Sequence, residues 1–262
     1  MDEILKQEEI CYINILGINI ADLTIDLLLK KIENYLESKN NHIIFTPNVD
    51  DIIKAHNDLE FKNALLNSSL NIPDGMGIVF GARMLGENFK EMIGGRRLLP
   101  IICNYAQKKK WNIFLMGSKD GIAIKAAEKI ILNFGEVSIV GALSPSMNII
   151  DDENETENII NKINNSKTNI LFVGLGSPKG KIWIMRNKNK FSSMVIIEVG
   201  GTFDVISGIR KIPPLWMTDC GLEWFYRLIE NPKYYWKRYL VDDPVFYFWV
   251  INEKFKRIMR LN

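Results

Sequence analysis

The chain has 262 residues, 47% hydrophobic and 24% charged, and its 33 basic and 31 acidic side chains leave a formal net charge of +2. At about 150 residues per domain that is one to two domains, with enough core to fold without staples. These values exclude a disordered chain, a collagen and a coiled-coil rod, and the chain as a whole is not a polycation built for nucleic acid.

Residues 11–16 read as a short strand, followed after Gly17 by a second apolar piece at 18–20. Residues 23–36 carry helical spacing, with Leu23, Leu27, Leu28, Ile32, Tyr35 and Leu36 on one face. A strand at 42–45 ends in Thr46-Pro47-Asn48, and Asn48 or Asp50 suits the cap of a helix through Ile52, Ile53 and Ala55. Residues 70–72 form another strand, stopped by Pro73-Asp74-Gly75, and 77–85 a buried helix. A helix at 98–109 has a basic end that suits its dipole. Then come a strand at 111–116, a turn at 117–121, a helix at 122–133 and a strand at 137–140. The acidic patch 151–157 opens a helix with Ile159, Ile160 and Ile163 inside; 170–173 is a strand, 174–180 a loop, 181–190 a helix and 194–199 a strand before Gly200-Gly201-Thr202. This alternation predicts an α/β core over 1–206, a mostly parallel sheet covered by helices. Beyond about Ser207 no strand is evident, and Pro213-Pro214, Pro232 and Pro244 divide a helical appendage over 207–262.

Cys11, Cys103 and Cys220 are odd in number and far apart, giving neither a disulfide framework nor a metal spacing, as in a reducing cytosol. His42 and His56 are the only histidines, and there is no D-x-D, so neither zinc nor a divalent-metal grip is expected, and no cofactor. The run MDEILKQEEI has no apolar signal core. The apolar stretch at 245–251 is seven residues, against about 20 for a membrane-spanning helix.

Ligands of an open α/β sheet bind beyond the carboxyl ends of its strands. The loops there, at 46–48, 73–75, 174–180 and 200–204, are glycine-rich or turn-like, and Gly117-Ser118-Lys119 is similar. None matches G-x-G-x-x-G or a P-loop in full, so the glycines serve nucleotide binding or ordinary tight turns equally well. Asp74 is either a helix cap, the commonest role of an Asp before a helix, or a carboxylate at a strand end able to act as general base. The adjacent pairs Asp50-Asp51 and Asp151-Asp152 diverge in any regular element and read as caps or surface. Residues 224–255 interleave aromatics such as Trp236, Tyr239, Phe246, Phe248 and Trp249 with Lys233, Lys237, Arg238 and Lys254; from 207 onward ten basic and six acidic residues leave +4. Three roles compete: a helical pack on the core, nucleic-acid binding, or an interfacial membrane patch. Off a membrane, such a patch packs on the core or on a second subunit, as in a homo-oligomer.

Taken together, the loops resemble the WecG/TagA/CpsF glycosyltransferases, glycosyltransferase family 26. The matching pieces are TPNVD at 46–50, PDGMGIV at 73–79, VGLGSPK at 173–179, EVGGTFDVISG at 198–208, PLWM at 214–217 and GLEWFYRLIENP at 221–232. The resemblance implies a Rossmann-like core, no metal, and inverting transfer of a sugar, often N-acetylmannosamine, from UDP to a polyprenyl-diphosphate-linked sugar at the inner membrane face. It implies a cytoplasmic, peripheral enzyme whose C-terminal appendage meets the membrane, with Lys233, Trp236, Lys237, Arg238 and Trp249 at the lipid or the acceptor diphosphate. By the same resemblance Asp74 matches the proposed general base, Thr46 and Asn48 the pocket beside it, Asp204 a position near the nucleotide, and Gly174, Gly176, Gly200, Gly201 and Thr202 the loops around UDP. The chain departs from the family pattern where R-V-T-G-x-D-L becomes Met92-Ile93-Gly94-Gly95-Arg96-Arg97-Leu98, and where the Gln and Glu of G-x-P-x-Q-E-x-W become Gly180 and Lys181. Arg96 and Arg97 are the candidates to replace the lost cation. These departures leave two alternatives, a UDP-sugar-binding paralogue without turnover and, from the sheet and glycine loops alone, a dinucleotide-dependent oxidoreductase.

Overall fold

The computed structural model describes residues 10–261, so most of the charged N-terminal run lies outside the described residues. The chain opens with an antiparallel hairpin, β1 (Cys11–Ile15) and β2 (Ile18–Asp22). Its two-residue turn takes positive φ at both Leu16 (51°) and Gly17 (89°), the twist that a tight hairpin demands. Then follow α1 (Ile25–Glu37), β3 (His42–Phe45), α2 (Val49–Asn57), α3 (Leu59–Leu66), β4 (Leu70–Asn71), α4 (Met76–Leu85) and α5 (Gly95–Lys109). The rest of the α/β part is β5 (Ile113–Gly117), α6 (Ile122–Phe134), β6 (Ile139–Leu143), α7 (Glu153–Asn165), β7 (Ile170–Gly174), α8 (Lys179–Asn187), β8 (Val195–Glu198) and α9 (Thr202–Ile206). Five helical pieces close the described chain: α10 (Leu215–Asp219), α11 (Glu223–Glu230), α12 (Pro232–Lys237), a π turn at Arg238–Asp242, and α13 (Asp243–Leu261).

Strands β3 to β8 form one parallel six-stranded sheet in the order β4-β3-β8-β7-β5-β6. Parallel strands are buried on both faces, and these split their side chains with period two. Ile43, Phe45, Phe114, Met116, Leu171, Val173 and Ile196 face the layer made by the hairpin, α2, α3, α4, α7, α8 and α13. Ile44, Ile113, Leu115, Ile170, Phe172, Val195 and Ile197 face α1, α5, α6 and α9. The expected α/β core and helical C-terminal part are both present.

Several element bounds differ from the sequence reading. Strand β6 runs from Ile139 to Leu143, two to three residues later than expected, and contains Gly141. Phe114 of β5 fills the space where a Cβ at 141 would sit, 2.2 Å from its ring, so the glycine that weakens the strand pattern is what lets the two strands pack. Helix α8 starts at Lys179 rather than 181, which places Lys181 in its first turn, facing inward. Helix α3, capped by Asp58, was not expected.

The C-terminal helices do not sit apart from the core. Phe246, expected among the headgroup-facing aromatics, is fully buried. Its ring lies against Gly81 of α4, where a Cβ would come within 2.7 Å, and Val250 is buried one turn further on. Trp249 is half-buried over His56 of α2, with ring centroids 4.1 Å apart. Trp236 and Phe248 are exposed, at 51% and 61%. Among the described residues no helix is long and apolar enough to cross a membrane.

Candidate active site

The carboxyl ends of β3, β4, β5, β7 and β8 open on one cavity of about 540 Å³, roofed by α11 and α12. Its lining carries nine basic residues against six acidic ones, an excess that favours an anionic ligand. Helices α2, α4, α5 and α8, each of nine residues or more, begin at its wall. Their unpaired N–H groups and dipoles add to that preference.

Thr46, at the end of β3, is buried and donates from Oγ1 to the Glu198 carbonyl at 3.2 Å, tying β3 to β8. Asn48 caps α2 in a capping box: its Oδ1 accepts from the Asp51 N–H at 3.3 Å, and Asp51 accepts from the Asn48 N–H at 3.0 Å. The Asn48 Oδ1 also accepts from Arg238 at 3.3 Å.

Asp74 is not the cap of α4. That position is Gly75, and no side chain caps the helix. The backbone of Asp74 is pinned by its N–H to the Pro47 carbonyl at 3.1 Å, and its carboxylate lies against Gly94, where a Cβ would meet Oδ1 at 2.0 Å. Among the described residues no protein donor reaches that carboxylate. Desolvation raises its pKa to about 6; Arg227 and Lys181 pull it down, while Glu223 and Asp51 push it up. An Asp with a proton affinity near neutrality and no internal partner suits proton transfer better than capping.

The glycine loops that the resemblance assigns to UDP lie together on one cavity. Gly174, Gly176, Gly200, Gly201, Thr202 and Asp204 all line the cavity, with Gly176 and Gly200 in positive φ. Thr202 is turned inward, donating to the Val199 carbonyl at 2.6 Å. Asp204 accepts from Ser118 Oγ at 2.9 Å and faces Arg210 at 3.5 Å, so the loop after β5 joins the same wall.

Arg96 and Arg97 line the cavity but differ in role. Arg96 holds Glu223 of α11 with two bonds of 3.1 Å, whereas Arg97 turns back to Glu91 at 3.2 Å and to the Met92 carbonyl at 3.1 Å. Glu223 also pairs with Arg227, and although burial works against its charge, Arg227 and Arg96 hold its pKa low. Arg227 and Arg238 reach the cavity from the C-terminal helices, whereas Lys233, Trp236, Lys237 and Trp249 lie outside it.

The sequence reading missed the floor of the cavity. Lys181 is buried and its ammonium lies 2.8 Å from Glu198 and 3.3 Å from Asp51, both also buried. Asp51, read as cap or surface, is therefore both a capping residue and half of an internal ion cluster. Glu198 lies beside Gly180: a Cβ at 180 would stand 3.3 Å from the Leu175 Cβ and 3.4 Å from the Glu198 Cγ and Oε1. At the two positions read as lost polar residues, Lys181 carries a charge that Asp51 and Glu198 match, and Gly180 lies next to it. Among the described residues no cluster of His, Cys, Asp and Glu could hold a metal ion.

The model of the WecG/TagA/CpsF glycosyl transferase family matches residues 13–260. This chain belongs to that family. As a WecG/TagA/CpsF member it is an enzyme of the glycosyl-transferase class. It is 31% identical over 222 residues to an N-acetylglucosaminyldiphosphoundecaprenol N-acetyl-beta-D-mannosaminyltransferase of Bacillus subtilis, covering 85% of this chain and 84% of that relative. Proteins of the same name match from Bacillus spizizenii, at 29% over 206 residues (79% and 77%), and from Staphylococcus aureus strain MW2, at 27% over 248 residues (93% and 94%).

Proposed function

We propose that this enzyme moves a sugar, N-acetylmannosamine or a related hexose, from a UDP-sugar to a polyprenyl-diphosphate-linked acceptor in the synthesis of a cell-surface polymer. The relatives' names supply the acceptor class. The observation that carries the chemistry is Asp74, a carboxylate without a donor among the described residues, set in a cavity rich in arginine. The reaction is a single displacement. The acceptor hydroxyl oxygen attacks the anomeric carbon, Asp74 takes its proton, and the bond to the UDP oxygen breaks with its electron pair, so the configuration inverts. The charge that develops on UDP meets the N-termini of α5 and α8 and the guanidinium groups of Arg227 and Arg238. Arg238 lines the cavity, its terminal nitrogens held, among the described residues, only by Asn48 at 3.3 Å and Asp50 at 3.9 Å, so its guanidinium suits a phosphate oxygen.

The acceptor's lipid tail stays in the bilayer, so the enzyme comes to the inner membrane face. Exposed Trp216, Trp236, Leu240 and Phe248 on the C-terminal segments suit headgroup depth, and Lys233 and Lys237 beside them suit anionic lipid. Release of UDP from a panel of UDP-sugars, with polyprenyl-diphosphate-GlcNAc as acceptor, tests the reading. Turnover with at least one donor is expected. A folded protein that binds UDP and turns over none would replace it with a binding role in polymer assembly.

A further inference from the structure

We propose that Lys181 is a positioning residue: a buried cation that locks the loops after β3, β7 and β8 together and sets the field at Asp74. The proposal deepens the reading above and rests on Asp74 as the base. Lys181 is 2% exposed, and its partners Asp51 and Glu198 are 0% and 1% exposed. Burial alone would lower its pKa, but the two carboxylates more than offset this and hold it charged. Each carboxylate also holds a loop. Asp51 accepts from the Asn48 N–H at 3.0 Å and from the hydroxyl of Ser177, and Glu198 accepts from the Gly200 N–H at 2.9 Å. One ammonium therefore joins the Asn48 turn, the Ser177 loop and the Gly200 turn. Gly180, the residue before Lys181, packs beside Glu198 at ordinary contact distance.

The charged groups that act on Asp74 come from three helices: Arg227 and Glu223 on α11, Asp51 on α2 and Lys181 on α8. Arg96 on α5 is held by Glu223. Lys181 and Asp51 act on Asp74 with opposite sign, so removing them one at a time gives opposite effects, which a general loosening of the fold cannot do.

The test is a carboxyl ¹³C NMR titration of the full chain labelled at aspartate, with the Asp74 signal assigned by its loss in Asp74→Asn. Lys181→Met is expected to raise the Asp74 midpoint by about half a pH unit or more, and Asp51→Asn to lower it. Lys181→Arg is expected to leave it in place, and the acid limb of kcat/KM is expected to move with the midpoint. If Lys181→Met does not fold, Lys181→Met/Asp51→Asn compared with Asp51→Asn alone reads the same cation. Midpoints that move together, or not at all, overturn the proposal. The titration needs no turnover, so the two readings fail separately. Opposite shifts with a fully active Asp74→Asn remove the base but keep the role of Lys181. An inactive Asp74→Asn without those shifts does the reverse.

Discussion

The floor and the rim of the cavity are built in contrasting ways. The floor is made by strand ends, and its polar groups are consumed internally: the Lys181 ammonium by Asp51 and Glu198, the Thr46 hydroxyl by the Glu198 carbonyl. The rim is made by C-terminal helices, and its cations are only partly matched. Arg238 touches Asn48 at 3.3 Å and Asp50 at 3.9 Å, its Nε has no partner among the described residues, and Tyr234 on the same rim is 72% exposed. A sheet can hold a buried ion cluster because its backbone is fixed by hydrogen bonds on both sides. A run of short helices offers charge without that rigidity. Shape and proton affinity therefore belong to the floor, and capture of anionic ligands to the rim. Asp74 stands between the two and feels both.

The largest effect expected is at Asp74. Asp74→Asn keeps size and removes the base, so turnover is expected to fall by about 10² to 10⁴-fold with UDP affinity little changed. Stability gives a second readout. The native state holds this proton more tightly than the unfolded chain, with a pKa of about 6 against 3.8, so ionised Asp74 opposes folding as pH rises through that window. Asp74→Asn is therefore expected to melt at or above the wild-type temperature at pH 8, with the difference closing toward about pH 4. In the wild type, kcat/KM is expected to fall as pH drops below about 6.

Next in size is the seam where rim meets core. Phe246→Ala empties the space over Gly81 and is expected to cost about 3–5 kcal/mol in denaturant unfolding. Phe248→Ala, two residues on and exposed, is expected to cost almost nothing. Equal losses would mean that α13 is not anchored as described. At the rim itself, Arg238→Ala is expected to weaken UDP binding about tenfold by calorimetry, in line with the loss of one charge-assisted contact, with little change in melting temperature. The smallest expected effect is at the surface. Trp236→Ser with Phe248→Ser is expected to reduce co-sedimentation with anionic vesicles severalfold and leave UDP affinity intact, and unchanged sedimentation would move the membrane contact elsewhere.

The same contrast explains what the sequence disclosed. The sheet was legible because each buried parallel strand is a short apolar run bounded by turns, and Thr46, Asn48 and the glycine loops follow directly from strand ends. Helix α3 escaped because Leu59 and Leu66 are exposed, blurring the face made by Phe61, Ala64 and Leu65. Asp51 escaped for a different reason. Divergence from Asp50 was foreseen, and it is real: Asp50 turns to Lys54 at 2.7 Å and Asp51 turns inward. Its partner Lys181 lies 130 residues further along the chain, and a pairing at that distance leaves no periodic trace. Likewise Lys181 reads only as a departure from the family pattern until Asp51 and Glu198 are seen around it. What a side chain borrows from a remote strand is legible only once the fold brings the two together.

The buried lysine also makes the molecule its own clock. Acylating reagents attack neutral amines that solvent can reach, and the ammonium of Lys181 is neither neutral nor reachable while its two carboxylates enclose it. Its modification requires the strand-end loops to part and the proton to leave together. In a peptide-resolved time course, exposed lysines such as Lys233 and Lys237 react at once, whereas the rate at Lys181 measures how often this end of the sheet opens, and a ligand that bridges the loops slows that rate.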